Sequence, residues 1–212
     1  MKTSRRRLLA APGVLLLPMM PGLPTPAAAV GSERRLVPTP EDSEGPFYPE
    51  RWEGDVDGDL LTLDGRRHER GLPLLIGGRV LAVDGVPLAG ATVEIWQADT
   101  EGQYRHSRDG RDAPLRRGFQ GFGRVRTDAE GRYRLRTLKP PAYGGRPPHV
   151  HFRVRAEGRR VLTTQMYFAG ENAERSLWGG FSRERERLTV TLAEARDEGR
   201  PAVAATFDLV LA

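Results

Sequence analysis

From residue 74 onward, apolar and polar positions alternate in short runs, the two-residue period of strands with one buried face. "LLIGGRVLAV" (74–83) runs to an Asp84–Gly85 turn, and "ATVEIWQA" (91–98) alternates without a break. "GRVRT", "DAEG" and "RYRLRTL" (123–138) predict a hairpin with Tyr133, Leu135 and Thr137 on one face and arginines on the other. "HVHFRV" (149–154) turns at "AEGR" and returns as "VLTTQMYF" (161–168), a second hairpin. "RLTVTL" (187–192) and "ATFDLVLA" (205–212) bring the count to six or seven short strands. With Gly/Pro turns and little helical periodicity, the chain is predicted to be all-β, a single β-sandwich domain over 74–212.

Upstream the pattern dissolves. Residues 30–44 are proline-rich and polar and predict an extended arm; "EGPFYPE" (44–50) sets two aromatics between prolines, a stiff segment suited to lying against something. Residues 51–73, rich in Gly and Asp, read as loop. The first 29 residues read as an export signal: Lys2, Arg5, Arg6 and Arg7 precede the apolar "LLAAPGVLLLPMM", and "AAA" (27–29) offers cleavage before Val30. That apolar stretch is too short and proline-broken to span a bilayer, so no membrane span is expected in the mature chain. "SRRRLL" (4–9) fits the twin-arginine pattern, with an ordinary Sec signal as the alternative.

The leader changes the charge picture. It carries four basic residues and no acidic one, so the formal +5 of the whole chain falls to +1 for the 183 residues that remain. No basic stripe with interleaved aromatics remains, and a nucleic-acid partner is not expected. The chain has no cysteine, which excludes a thiolate ligand or nucleophile. A metal would need histidine, carboxylate, tyrosine or backbone oxygen.

The chain has four histidines, and two stand at i and i+2 in "RPPHVHFRV" (146–154). Val150, Phe152 and Val154 form the core stripe of that strand, so His149 and His151 project from the opposite face, with Gln165 able to approach from the partner strand. The pair suits chelation, but H-x-H alone equally describes a surface strand where histidine recurs. His68 lies in a charged loop and is expected to be solvated; His106, beside Tyr104, is at most a neighbour of a site.

Three runs in order, "VEIWQADTEGQYRH" (93–106), "TDAEGRYRLRTLKPPAY" (127–143) and "RPPHVHF" (146–152), resemble the intradiol ring-cleavage dioxygenases, among them protocatechuate 3,4- and catechol 1,2-dioxygenases. "TPEDSEGPFYPE" (39–50) is similar to the family's N-terminal segment, and the leader would suit an exported subgroup. The resemblance implies one mononuclear Fe(III) per chain, covered by long loops and held by Tyr104, Tyr143, His149 and His151. It implies that Arg146 and Gln165 act on a bound catechol-type substrate, that Tyr143 takes a proton, and that O2 is the second substrate. Tyr48 and Trp96 are candidates for the pocket wall, whereas Tyr133 and Tyr167 are expected to be packing residues. Two other readings stand beside it: an exported β-sandwich that only binds a ligand, and a sandwich holding Zn(II) or Cu(II) through the histidines. A homo-oligomer, a monomer and a partner chain all stay open.

Overall fold

A ten-residue strand, β3 (Pro73–Ala82), is the axis of the first of two five-stranded sheets. The computed structural model describes residues 35–109, 119–171 and 183–212, so the predicted export signal at 1–29 lies outside the described residues. Ahead of β3, β1 (Thr62–Leu63) and β2 (Arg66–Arg67) form a small hairpin. β6 (Arg132–Leu138) runs antiparallel along one side of β3. The other side is shared in parallel by β11 (Arg200–Thr206) and β12 (Leu209–Leu211), with β10 (Ala193–Asp197) beyond β11. The second sheet places β4 (Thr92–Trp96) between β5 (Phe122–Arg126) and β7 (His149–Arg155); β8 (Leu162–Phe168) and β9 (Thr189–Val190) follow β7 outward. Among the described residues no helix is long and apolar enough to cross a membrane.

The predicted sandwich is present. Val150, Phe152 and Val154 of β7 join Ile76, Val80, Tyr133 and Leu135 of the first sheet in one apolar core. The Phe152 and Phe207 rings meet edge to face with centroids 5.1 Å apart. Two expectations are corrected. β5 and β6 do not form a hairpin: β5 pairs with β4 and β6 with β3, in different sheets. The Asp128 turn between them is tight, its side chain accepting the N–H groups of Glu130 and Arg132 at 3.0 and 2.8 Å. On either side of that turn, however, the backbone bonds to other segments: Thr127 N–H to Ala91 O at 2.9 Å, and Val80 N–H to Gly131 O at 2.8 Å. Alternation reports which face a strand buries, not which neighbour it takes. His68 is not solvated either; it is 3% exposed, beside the Phe119 ring, in a segment whose Leu60 and Leu61 enter the core.

The arm has no strand of its own yet is tied along its length. Leu36 N–H donates to Val83 O, Thr39 N–H to Val210 O and Asp42 N–H to Thr163 O, at 2.7–3.0 Å. It therefore crosses β8, the neighbour of the histidine strand.

Gly78 sits where β11 ends and β12 has not begun. There the Phe207 carbonyl turns in to accept the Tyr133 hydroxyl at 2.5 Å, and a Cβ on Gly78 would lie 2.1 Å from that carbonyl oxygen. Gly78→Ala is expected to cost about 1–3 kcal/mol, the range of core overpacking. Urea denaturation should show a lowered midpoint with an unchanged slope; an unchanged midpoint would refute the close-approach account.

Candidate metal centre

The histidines are held by the sheet. In β7 they face away from the core stripe, as expected, and are buried all the same (1% and 2% exposed): the arm's Gly45 lies against His151, and the Tyr143 and Tyr167 rings flank His149. Trp96, the cross-strand partner of His151 in β4, stacks on that imidazole with centroids 4.8 Å apart and planes 9° apart. His149 Nδ1 donates to the Pro147 carbonyl at 2.7 Å, which leaves its Nε2 as a bare lone pair.

The tyrosines come from loops. Tyr143 and Arg146 bracket a two-residue turn in which Gly144 (φ 54°) and Gly145 (φ 76°) both take the left-handed conformation a type I′ turn requires. Tyr104 follows a loop organised by Asp99, whose side chain accepts the N–H groups of Glu101 and Gln103. The Tyr104 N–H then donates to Asp109 at 2.6 Å, and the Phe47 ring stacks on its phenol at 4.7 Å.

The four polar heads converge. Tyr104 Oη lies 2.7 Å from Tyr143 Oη, 3.4 Å from His149 Nε2 and 3.1 Å from His151 Nε2. His149 Nε2 lies 3.3 Å from Tyr143 Oη and 3.2 Å from His151 Nε2. Donors at about 2.0–2.1 Å around a tetrahedral cation would stand about 3.3 Å apart, so the spacing suits a shared ion. His151 Nδ1 is buried without a hydrogen bond, the Ser43 backbone approaching the ring without closing one. Among the described residues no group of three or more His, Cys, Asp or Glu gathers to hold a metal, so this cluster depends on its tyrosines.

Electrostatics keep the cluster neutral. Burial, then the positive charge of Arg146, drives the His149 pKa down to about 3. Burial and the neighbouring His149 drive His151 well below the usual imidazole range. Burial raises both phenols, Tyr104 far above its usual value; for Tyr143 the Tyr104 hydrogen bond and Arg146 work against the rise. Two neutral imidazoles and two phenols fit a hard trivalent cation, whose charge would expel the phenol protons.

A cavity of about 410 Å³ opens in front of the cluster, between arm residues 42–47, the Tyr143–Pro147 turn, Tyr167 and Arg185. Arg146 borders it and donates to Gln165 Oε1 at 2.7 Å, so the structure brings together all six residues expected to hold metal or act on substrate. Tyr48 and Trp96 do not line this cavity: the Tyr48 hydroxyl donates to Glu94 at 2.9 Å and its ring stands edge-on to Trp96. His106 lies one residue layer out, edge-on to Phe47. Sequence reasoning missed Phe47, Asp42 and the lining role of Tyr167. For Phe47 the signal was present in "EGPFYPE", but an irregular arm has no period to say which aromatic faces inward.

A family model described as "Dioxygenase" matches residues 43–212. The chain is 37% identical over 197 residues to the protocatechuate 3,4-dioxygenase beta chain of Burkholderia cepacia, covering 85% of this chain and 83% of that protein. It is 34% identical to catechol 1,2-dioxygenase 1 of Acinetobacter lwoffii, over 74% of this chain but only 54% of that longer enzyme. Among solved structures, the dioxygenase domain of a dioxygenase–carbohydrate-binding fusion from Streptomyces sp. SirexAA-E is similar with a TM-score of 0.64 and 33% identity, over 82% of this chain and 98% of that one. Catechol 1,2-dioxygenase from Pseudomonas arvilla C-1 is similar with a TM-score of 0.62 and 34% identity, over 82% of this chain and 62% of that one.

The buried neutral imidazoles make a pH prediction for protein stripped of metal. In the unfolded chain they titrate at about 6.5, whereas burial holds folded His149 down to about 3, so the unfolded state takes up protons first as pH falls. The stability due to the neutral ring is complete above about pH 6.5 and is lost as pH drops toward 3, with His151 acting in the same direction. Urea unfolding of chelator-treated protein should show stability declining from pH 6.5 to 4.5; a flat profile over that window would count against buried neutral imidazoles.

Proposed function

Because this chain belongs to the intradiol ring-cleavage dioxygenase family, we propose that it cleaves a catechol-type aromatic between its two hydroxyl carbons, using O2 and one ferric ion per chain to give a cis,cis-muconate-type diacid. The observation that carries this reading is the convergence of two phenols and two imidazoles, with head-to-head distances of 2.7–3.4 Å. A ferric ion held by Tyr104, Tyr143, His149 and His151 supplies the chemistry that lets a catechol react with O2.

The chain's own residues divide the remaining work. Tyr143 borders the cavity, whereas Tyr104 is 7% exposed and does not, so Tyr143 is the phenol suited to take a proton from an entering catechol hydroxyl. Arg146 presents a fixed positive charge to the same cavity, suited to negative charge gathering on the ring. Gln165 accepts from Arg146 and holds that guanidinium in place. A ligand-binding module without catalysis, or a histidine-only Zn(II) or Cu(II) site, gives no role to the paired phenols.

Export, with a leader of twin-arginine pattern at residues 4–9 and cleavage after 27–29, is part of the proposal; N-terminal sequencing of protein recovered outside the cytoplasm should begin at Val30, and a retained leader there would refute the cleavage.

The first test is the visible spectrum of the iron-loaded protein. It should show a phenolate-to-iron band that shifts on anaerobic addition of catechol. Tyr104→Phe should lose the band and the iron, and Tyr143→Phe should keep a weaker band while kcat falls about a hundredfold or more. A protein that stays colourless after ferric reconstitution would sink the reading.

A further inference from the structure

Asp42 and Tyr167 belong neither to the four converging heads nor to the Arg146–Gln165 pair, yet a chain of polar contacts ties them to that pair. Gln165 Nε2 donates to the Ser43 carbonyl at 2.5 Å, while its Oε1 accepts from Arg146 at 2.7 Å. Those two partners fix the amide's orientation: flipped, its NH2 would face the guanidinium and its oxygen the Ser43 carbonyl. The Tyr167 hydroxyl lies 2.9 Å from Gln165 Oε1 and 2.9 Å from Asp42 Oδ2. The other carboxylate oxygen, Asp42 Oδ1, accepts the Ser43 N–H at 2.6 Å, so the carboxylate joins the Tyr167 hydroxyl to the Ser43 peptide. The register of β7 and β8 supplies the geometry, setting Tyr167 opposite His149 and Gln165 opposite His151.

The Tyr167 hydroxyl has one proton and two acceptors, and the carboxylate is the stronger of the two. Asp42 therefore draws that proton away from Gln165 Oε1, leaving this oxygen to the guanidinium, while it braces the Ser43 carbonyl that holds the amide's other end. The main-chain N–H of Asp42 is separately bound to Thr163 O at 3.0 Å, so the arm's anchorage does not depend on the side chain. We infer that Asp42 is a positioning residue: by taking the Tyr167 proton and bracing the Ser43 peptide it holds Gln165, and with it the Arg146 guanidinium, at the wall of the cavity. The catalytic consequence rests on the proposed dioxygenase reading; the geometric one does not.

The test is a double-mutant cycle with a crystallographic arm. Asp42→Ala in the full iron-loaded chain should lower kcat about tenfold while changing KM by no more than about twofold. In a Gln165→Leu background the same substitution should cost nothing further, because the residue through which it acts is gone. The crystal structure of Asp42→Ala should show the Arg146 guanidinium beyond hydrogen-bonding distance of Gln165 Oε1. Multiplying losses in the double variant, or a guanidinium still seated on Gln165 in that crystal, would overturn the inference. Failure of the wild-type chain to cleave any catechol would remove the proposed reaction, and the crystal structure would still decide whether Asp42 positions Arg146.

Discussion

The hydrogen bond from His149 Nδ1 to the Pro147 carbonyl sets the polarity of everything around it. An imidazole that has spent its one proton on the main chain can offer only a lone pair from its other nitrogen, and that nitrogen points at three further polar heads. Burial forbids the escape of taking up a second proton. The cluster therefore sets two phenol hydroxyls against imidazole lone pairs, and a cation at its centre would take the place of the phenol protons.

The two kinds of donor are supported differently. The neutral rings stand on a strand in the middle of a sheet, with Trp96 flat against His151. The phenols, whose charge would change on binding a cation, sit on loops braced by an Asp99 turn, a two-glycine turn and the Phe47 ring. Aromatic stacking of this kind contributes about 0.5–1.5 kcal/mol beyond burial, enough to orient a ring without locking it. A rigid neutral half and a more yielding ionisable half suit a centre where one ligand must exchange protons with substrate.

Much of this was legible in the residues. The face of β7 that bears the histidines, the β7–β8 hairpin and the core role of Tyr133 all follow from a two-residue period. The four converging heads were legible only because the motif runs resemble a family; alternation alone has nothing to say about loop tyrosines 39 residues apart. The crossing of β5 and β6 into different sheets was hidden, since a tight turn looks the same whether its strands pair or part. Asp42 was hidden for another reason. Its partner Tyr167 lies 125 residues away in the chain, and an irregular arm carries no repeating pattern from which a facing side chain can be read.

Among the described strands, only β1–β2, β7–β8 and β10–β11 pair across a short local connection. All other pairings join distant segments, and topologies of that kind fold slowly for their size because loop closure precedes the contacts that reward it. The histidine hairpin is thus the part of the centre that local sequence can assemble first, while the arm and the Tyr104 loop depend on long-range closure. In a chain closed only that far, the two imidazoles stand with Tyr143, six residues from His149, but without Tyr104. Imidazoles that lack the second phenolate favour copper and zinc over iron in the ordinary affinity series. The order in which the chain closes, as well as the finished geometry, then bears on which ion is enclosed.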